Sequence, residues 1–317
     1  MNKRTQLLTW QQQGRIKDID KSLEVTQANI EPKTWFDFIS KSLIILGFVS
    51  LALGIIFFFA YNWDEMTKMT KFILVQALLG LSAVFYTQTQ KHSHTSTGIL
   101  LFMALLIGAL LALFGQTYQS GKDPWQLFLL WTVFVTPLAV VSKNSALWIL
   151  WLALINLTVY LYIDIYRWFS GFLFSFNGTS VVFALINSLA ALLFYFALKT
   201  PKSLSFYVAI LSAFFAFTWV GFFAMFDSKF SLAFIFLYLL WMALNYFLFK
   251  VKTLDVLVLS AWSLSAIAFI MFALTRLFAD AFNATTLLFF SIALIAMTAF
   301  ASKWLMQLLK QSHGELS

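Results

Sequence analysis

Apolar runs of about 18 residues or more recur along the chain from Leu43 to Leu305, separated by short polar turns. As a helix rising about 1.5 Å per residue, a run of that length crosses the roughly 30 Å hydrocarbon core of a bilayer. Ten spans are predicted, over residues 42–61, 72–89, 97–114, 125–141, 146–163, 179–198, 205–225, 230–249, 254–274 and 285–305. The longest connection is 164–178, and no soluble domain is inserted. The fold class is therefore all-α, a polytopic helical membrane protein. It divides into a cap over residues 1–41, a transmembrane domain over 42–305 and a tail over 306–317.

Before the first span the pattern changes. Thr5 to Gln13 reads as a short helix stopped by Gly14. A second amphipathic segment sets Ile16, Ile19 and Leu23 on one face, with Lys17, Asp18 and Lys21 towards solvent. Pro32 suits the first turn of a helix running into the membrane, with Trp35 and Phe36 near the headgroups. Such a cap either lies on the inner leaflet or docks a protein partner.

Composition supports the membrane reading. The chain is 61% hydrophobic and 11% charged, where soluble domains average about 25% charged residues. The net charge of +8 would point to nucleic acid in a soluble protein, but here orientation accounts for it. With the ten spans alternating, fifteen Lys and Arg fall on one side and six on the other. The acids divide seven and six, so the whole formal excess lies on the first side. Basic residues stay in the cytoplasm, which puts both termini inside and the charge against the anionic inner leaflet. A bacterial cytoplasmic membrane is the expected location, the bilayer itself the first partner, and no nucleic-acid partner is implied. The absence of cysteine excludes disulfides and thiol chemistry, and no cofactor or metal signature is present.

The densest polar run between two spans is Gly115-Gln116-Thr117-Tyr118-Gln119-Ser120-Gly121-Lys122-Asp123-Pro124-Trp125. In this orientation it is the outer loop between the third and fourth spans. The other conspicuous polar turn, Tyr61-Asn62-Trp63-Asp64-Glu65, is the outer loop between the first and second. The first span carries Gly47, Ser50 and Gly54 and the third Ala104, Gly108 and Ala112. Small residues three and four apart let helix backbones approach closely in lipid, so these two spans are expected to pack together and gather the turns. The expected site is an outward-facing rim bearing Asn62, Asp64, Glu65, Gln116, Tyr118, Gln119, Asp123 and Gln126, walled by Trp63 and Trp125. Gln76 and Asn156 would extend it inward. The competing reading makes the same residues interfacial caps, with Asp123 capping the helix that begins at Pro124 and Trp125 anchoring at the headgroups.

Inside the spans, Pro137 kinks or hinges the fourth helix, and Asn187 and Asn245 read as interhelical glue. No Lys, Arg, Asp or Glu falls near the middle of a span, which speaks against a charge relay through the bilayer.

The strings Phe-Phe-Ala-Tyr-Asn-Trp-Asp (58–64) and Gly-Gln-Thr-Tyr-Gln-Ser-Gly-Lys-Asp-Pro-Trp-Gln-Leu-Phe (115–128), with the following Pro137, resemble a bacterial family of integral membrane proteins known only as a domain of unknown function. The resemblance covers the cap and the first four or five spans. It implies a bacterial membrane protein and supplies no activity.

Three functions compete. A transporter or lipid-handling protein would bind a small molecule or lipid at the outer rim. A non-catalytic scaffold would bind a partner through the cap or outer loops. A membrane enzyme would have only carboxylates, Tyr118 and Lys122 on the outer face, because no His or Cys lies there.

Overall fold

The computed structural model describes residues 9–11, 32–61, 66–90, 93–118, 123–168, 175–200, 203–226, 231–279 and 283–314. Residues 9–11 are helical, inside the first predicted cap helix; the rest of the cap before residue 32 lies outside the described residues. Ten long helices follow among the described residues: α1 (Pro32–Tyr61), α2 (Lys68–Gln88), α3 (His94–Tyr118), α4 (Pro124–Ser142), α5 (Ser145–Ile165), α6 (Phe176–Leu192), α7 (Leu204–Phe226), α8 (Leu232–Tyr246), α9 (Val256–Leu277) and α10 (Ala284–Gly314). Two π-helical turns, Leu193–Ala197 and Phe247–Lys252, extend α6 and α8. Among the described residues nine helices are long and apolar enough to cross a bilayer, and α1 contains the shorter apolar stretch Ser42–Phe58. All ten predicted spans thus fall on helices, and the molecule is an all-α polytopic membrane protein. Pro32 opens α1 as expected, whereas α10 continues through Gly314, well into the predicted tail.

Polar residues at the helix starts explain several boundaries. Thr67 accepts from the Thr70 amide, Asn144 from Ala146, Ser175 from Gly178, and Asp255 from Leu257 and Val258. Each occupies one of the amides that a helix start leaves without an internal partner.

The chain forms two compact units. In the first, Met1–Tyr118 with Val141–Lys143, α1 and α2 both pack on α3. Its core joins Ala52 to Phe102 and Leu106, with Phe48 and Ile55 against them, and then Val75 to Leu113. The expected contact between the first and third spans is present, but the small residues expected on α1 do not make it; Ala52 does, with Phe48 and Ile55 beside it. Ala104 and Gly108 are buried, whereas Gly47, Ser50 and Gly54 are exposed. A methyl group added at Gly47 or Gly54 would meet nothing within 4 Å. The close approach lies one residue away in helical phase, where the Phe48 ring fills the space a side chain at Gly98 would need.

In the second unit, Gln119–Val140 with Asn144–Ser317, α7 is the central helix, packed by α5, α6, α8 and α9. Three helix pairs follow one another in the chain, α4–α5, α6–α7 and α8–α9; the turn of the first, Val141–Lys143, belongs to the first unit. Lys143, Lys199 and Leu254 turn the chain between the two helices of each pair, with φ of 50°, 51° and 36°. These side chains sit in the left-handed region that glycine ordinarily fills after a helix. The second and third turns share their bonding. The Leu198 amide donates to the Leu193 carbonyl (3.0 Å) and Thr200 to Phe194 (2.9 Å); Thr253 donates to Leu248 (3.1 Å) and Asp255 to Phe249 (3.0 Å).

Candidate functional site

Asn62, Trp63, Asp64, Glu65 and Gln119 lie outside the described residues. The helices that frame the first turn are described. The Phe48 ring lies 6.4 Å from that of Phe102 in a tilted pair, Ala52 packs with Phe102 and Leu106, and Ile55 reaches the cluster of Leu113. Position therefore advances along both helices together, so α1 and α3 run parallel and end on the same side of this unit. Met66, which follows the first polar turn, packs on the same Val75–Leu113 cluster.

The last turns of α3 carry Gln116 and Tyr118. The Tyr118 ring lies 4.8 Å from Phe114 and 6.1 Å from Phe72, yet the residue is 62% exposed. Gln116 is also exposed. Neither the Tyr118 hydroxyl nor the Gln116 amide has a hydrogen-bond partner among the described residues. Gln76 is exposed on α2, whereas its neighbour Val75 faces the core.

Asp123 and Trp125 behave differently. The Trp125 indole N–H donates to Asp123 Oδ2 at 3.4 Å, and the Tyr166 hydroxyl donates to the same oxygen at 3.3 Å. Trp125 also packs edge-on against Tyr162 at 5.2 Å, and Tyr162 against Tyr166 at 4.8 Å. Together these residues tie the start of α4 to the end of α5. The backbone carbonyl of Asp123 also accepts from Gln126 at 3.0 Å.

Pro137 lies within an unbroken α4. Lacking an N–H, it cannot bond the carbonyl four residues back. Two threonines add side-chain bonds to other carbonyls of the preceding turns: Thr132 Oγ1 donates to the Phe128 carbonyl and Thr136 Oγ1 to that of Thr132, both at 2.8 Å. Trp151 of α5 donates its indole N–H to Thr136 Oγ1 at 3.0 Å.

Deeper polar groups come in pairs that the spacing of residues did not announce. Asn156 and Asn187 face each other across α5 and α6 with reciprocal amide bonds of 3.2 and 2.9 Å, while each also donates to its own i−4 carbonyl at 2.8 Å. They line a pocket of about 260 Å³ with Ser180, Ser212 and Trp219. Tyr238, Thr218 and Ser265 form a hydroxyl cluster at 2.7–2.9 Å between α7, α8 and α9. Among the described residues no three His, Asp or Glu side chains gather as a metal ion would require.

Residues 8–148 match the model of a family described as Predicted membrane protein (DUF2157). No curated protein and no solved structure matches the chain. The match runs from the N-terminal cap to the first turn of α5, the part over which the resemblance rests. Over residues 8–148, then, the chain is similar to a family of predicted membrane proteins of unknown function.

Proposed function

We propose that this protein binds a small polar molecule or a lipid headgroup at the outward end of α1 and α3. Gln116 and Tyr118 supply the hydrogen bonds, and Asn62, Trp63 and Asp64 supply the opposing turn. The observation that carries the reading is the contrast within one polar stretch. Asp123 and Trp125 are consumed by packing, while the groups of Gln116 and Tyr118 have no hydrogen-bond partner among the described residues, at an aromatic-walled helix end. A neutral amide and a phenol on a rigid helix suit recognition, since their groups are held in place before a ligand arrives. The 15-to-6 division of basic residues supports cytoplasmic termini, and hence an outward site. Transport of the bound molecule, a hinge at Pro137 and partner docking by the N-terminal cap belong to this reading as its extensions.

The test is complementation of a deletion phenotype at matched membrane expression. Gln116→Ala, Tyr118→Phe and Asp64→Asn should each fail to restore what wild type restores, with folded protein present at normal levels. Full rescue by all three would remove the proposal. Its geometry has a separate check in this cysteine-free chain. Cysteines at Asn62 and Gln116 should be bridged by a reagent spanning about 15 Å, a few residues of extended chain.

A further inference from the structure

A second pocket, of about 320 Å³, lies in the other unit between α6, α7 and α8. Its volume falls in the range of about 300–1,000 Å³ typical of ligand sites. The walls are apolar, built from Leu192, Phe196, Ile210, Leu244 and Leu248, and both π-helical turns border it. Insertions of this kind in helices recur at functional sites because the extra residue rotates the last turn.

Two polar residues of its lining are informative. Asn245 lines it and is 6% exposed. Its Nδ2 donates to the Trp241 carbonyl at 2.9 Å, and its Oδ1 has no donor among the described residues. A buried amide oxygen left unpaired within an apolar span is costly. The neighbouring Trp241 indole is unavailable to it, being turned towards Ser188 Oγ at 3.3 Å and stacked on Phe217 at 4.2 Å. Seven residues further on, roughly 10 Å along the helix at about 1.5 Å per residue, Lys252 stands at the rim with Thr253. The ammonium lies 5.5 Å from the Phe247 ring and has no carboxylate partner among the described residues.

We propose that this pocket holds a single-chain anionic amphiphile whose headgroup pairs with Lys252 and whose chain carries a hydroxyl or amide donor that reaches Asn245 Oδ1. The apolar walls take the chain, the unpaired oxygen demands a donor partway along it, and the lysine selects the charge. The inference concerns a different unit from the proposed outer site and stands or falls independently of it.

The experiment uses the full chain in detergent and compares 12-hydroxystearate with stearate and with the methyl ester of 12-hydroxystearate by native mass spectrometry. Wild type should bind 12-hydroxystearate about tenfold more tightly than stearate, the size of one net hydrogen bond. The ester should bind more weakly than the acid. Asn245→Leu should abolish the preference for the hydroxylated chain while keeping stearate binding, and Lys252→Gln should weaken both acids. Equal binding of the two acids to wild type, binding of neither, an ester as tight as the acid, or a preference that survives Asn245→Leu would each overturn the proposal. The wild-type comparisons decide it even if a variant fails to fold.

Discussion

Asn187 and Asn245 occupy closely similar positions, and the second unit treats them in opposite ways. Both lie within apolar helices, 3% and 6% exposed, and both donate to the carbonyl four residues back, at 2.8 and 2.9 Å. Across from Asn187 stands another amide, Asn156, and the pair closes on itself with two reciprocal bonds. Both amides border pockets, but across from Asn245 no donor meets its oxygen among the described residues. The difference teaches that a buried amide is glue or a recognition group according to what faces it. Residue type and depth alone do not decide between the two.

That comparison is most exposed to failure at the closed pair, where the largest effect is expected. Asn187→Leu takes from the Asn156 carboxamide the partner of its oxygen and of one N–H, which should cost about 1–3 kcal/mol. Asn156→Leu with Asn187→Leu removes both partners and should recover most of the loss. Unfolding in detergent of the two single variants and the double gives the coupling directly. A double variant as unstable as the sum of the singles would show that the two amides do not act as a pair.

A middling effect is expected at the hydroxyl cluster, which is closed like the amide pair but has neutral, single-donor members. The Tyr238 hydroxyl donates to the Ser265 carbonyl at 3.0 Å and lies 2.9 Å from Ser265 Oγ, on a residue only 1% exposed. Tyr238→Phe keeps the ring stacked on Phe269 at 4.4 Å and deletes only these bonds. About 1 kcal/mol should be lost, read from the same unfolding experiment. No loss would place this hydroxyl with the open groups.

Asn245→Leu should have a smaller effect, within about 0.5 kcal/mol of wild type in ligand-free detergent, and a slight gain in stability is compatible with the comparison. Its oxygen has no donor among the described residues, and its remaining bond goes to its own helix. A cost as large as that of Asn187→Leu would reveal a protein partner and dissolve the contrast between the two amides.

How much of this was legible beforehand follows from which signals survive in one dimension. The ten spans were readable because hydropathy needs only composition over a window, and the packing of the first span on the third was anticipated. The residues that make that packing on α1 were not. Gly47, Ser50 and Gly54 match the small-residue spacing, yet they face away, and Phe48, Ala52 and Ile55 make the contact. Spacing fixes that residues share a face, while the partner's position fixes which face is used. The π-helical turns at Leu193–Ala197 and Phe247–Lys252 have no residue signature, so the pocket they border was invisible. Asn187 and Asn245 both read as glue for the same reason: the reciprocity with Asn156 spans 31 residues and depends on the rotation of two helices. Within the polar stretch at 115–125 the residues to examine were visible, but the division of Asp123 and Trp125 from Gln116 and Tyr118 required Tyr162 and Tyr166, some forty residues on.

The smallest stability effects belong to Gln116 and Tyr118. Tyr118→Phe retains the ring that packs on Phe114 and Phe72 and removes a hydroxyl with no partner among the described residues. Gln116→Ala removes an exposed, unpaired side chain near the end of α3 and improves helix propensity slightly. Each should stay within about 0.5 kcal/mol of wild type in detergent unfolding. Tyr166→Phe is the matched control, since it also deletes one phenolic hydroxyl but breaks the bond to Asp123 at 3.3 Å. It should lose more, about 0.5–1.5 kcal/mol, the net worth of an intramolecular hydrogen bond. If Tyr118→Phe is as destabilising as Tyr166→Phe, the hydroxyl belongs to the fold and is not free for a ligand. If it is silent in stability and its variant still fails complementation, the hydroxyl acts on something outside the chain.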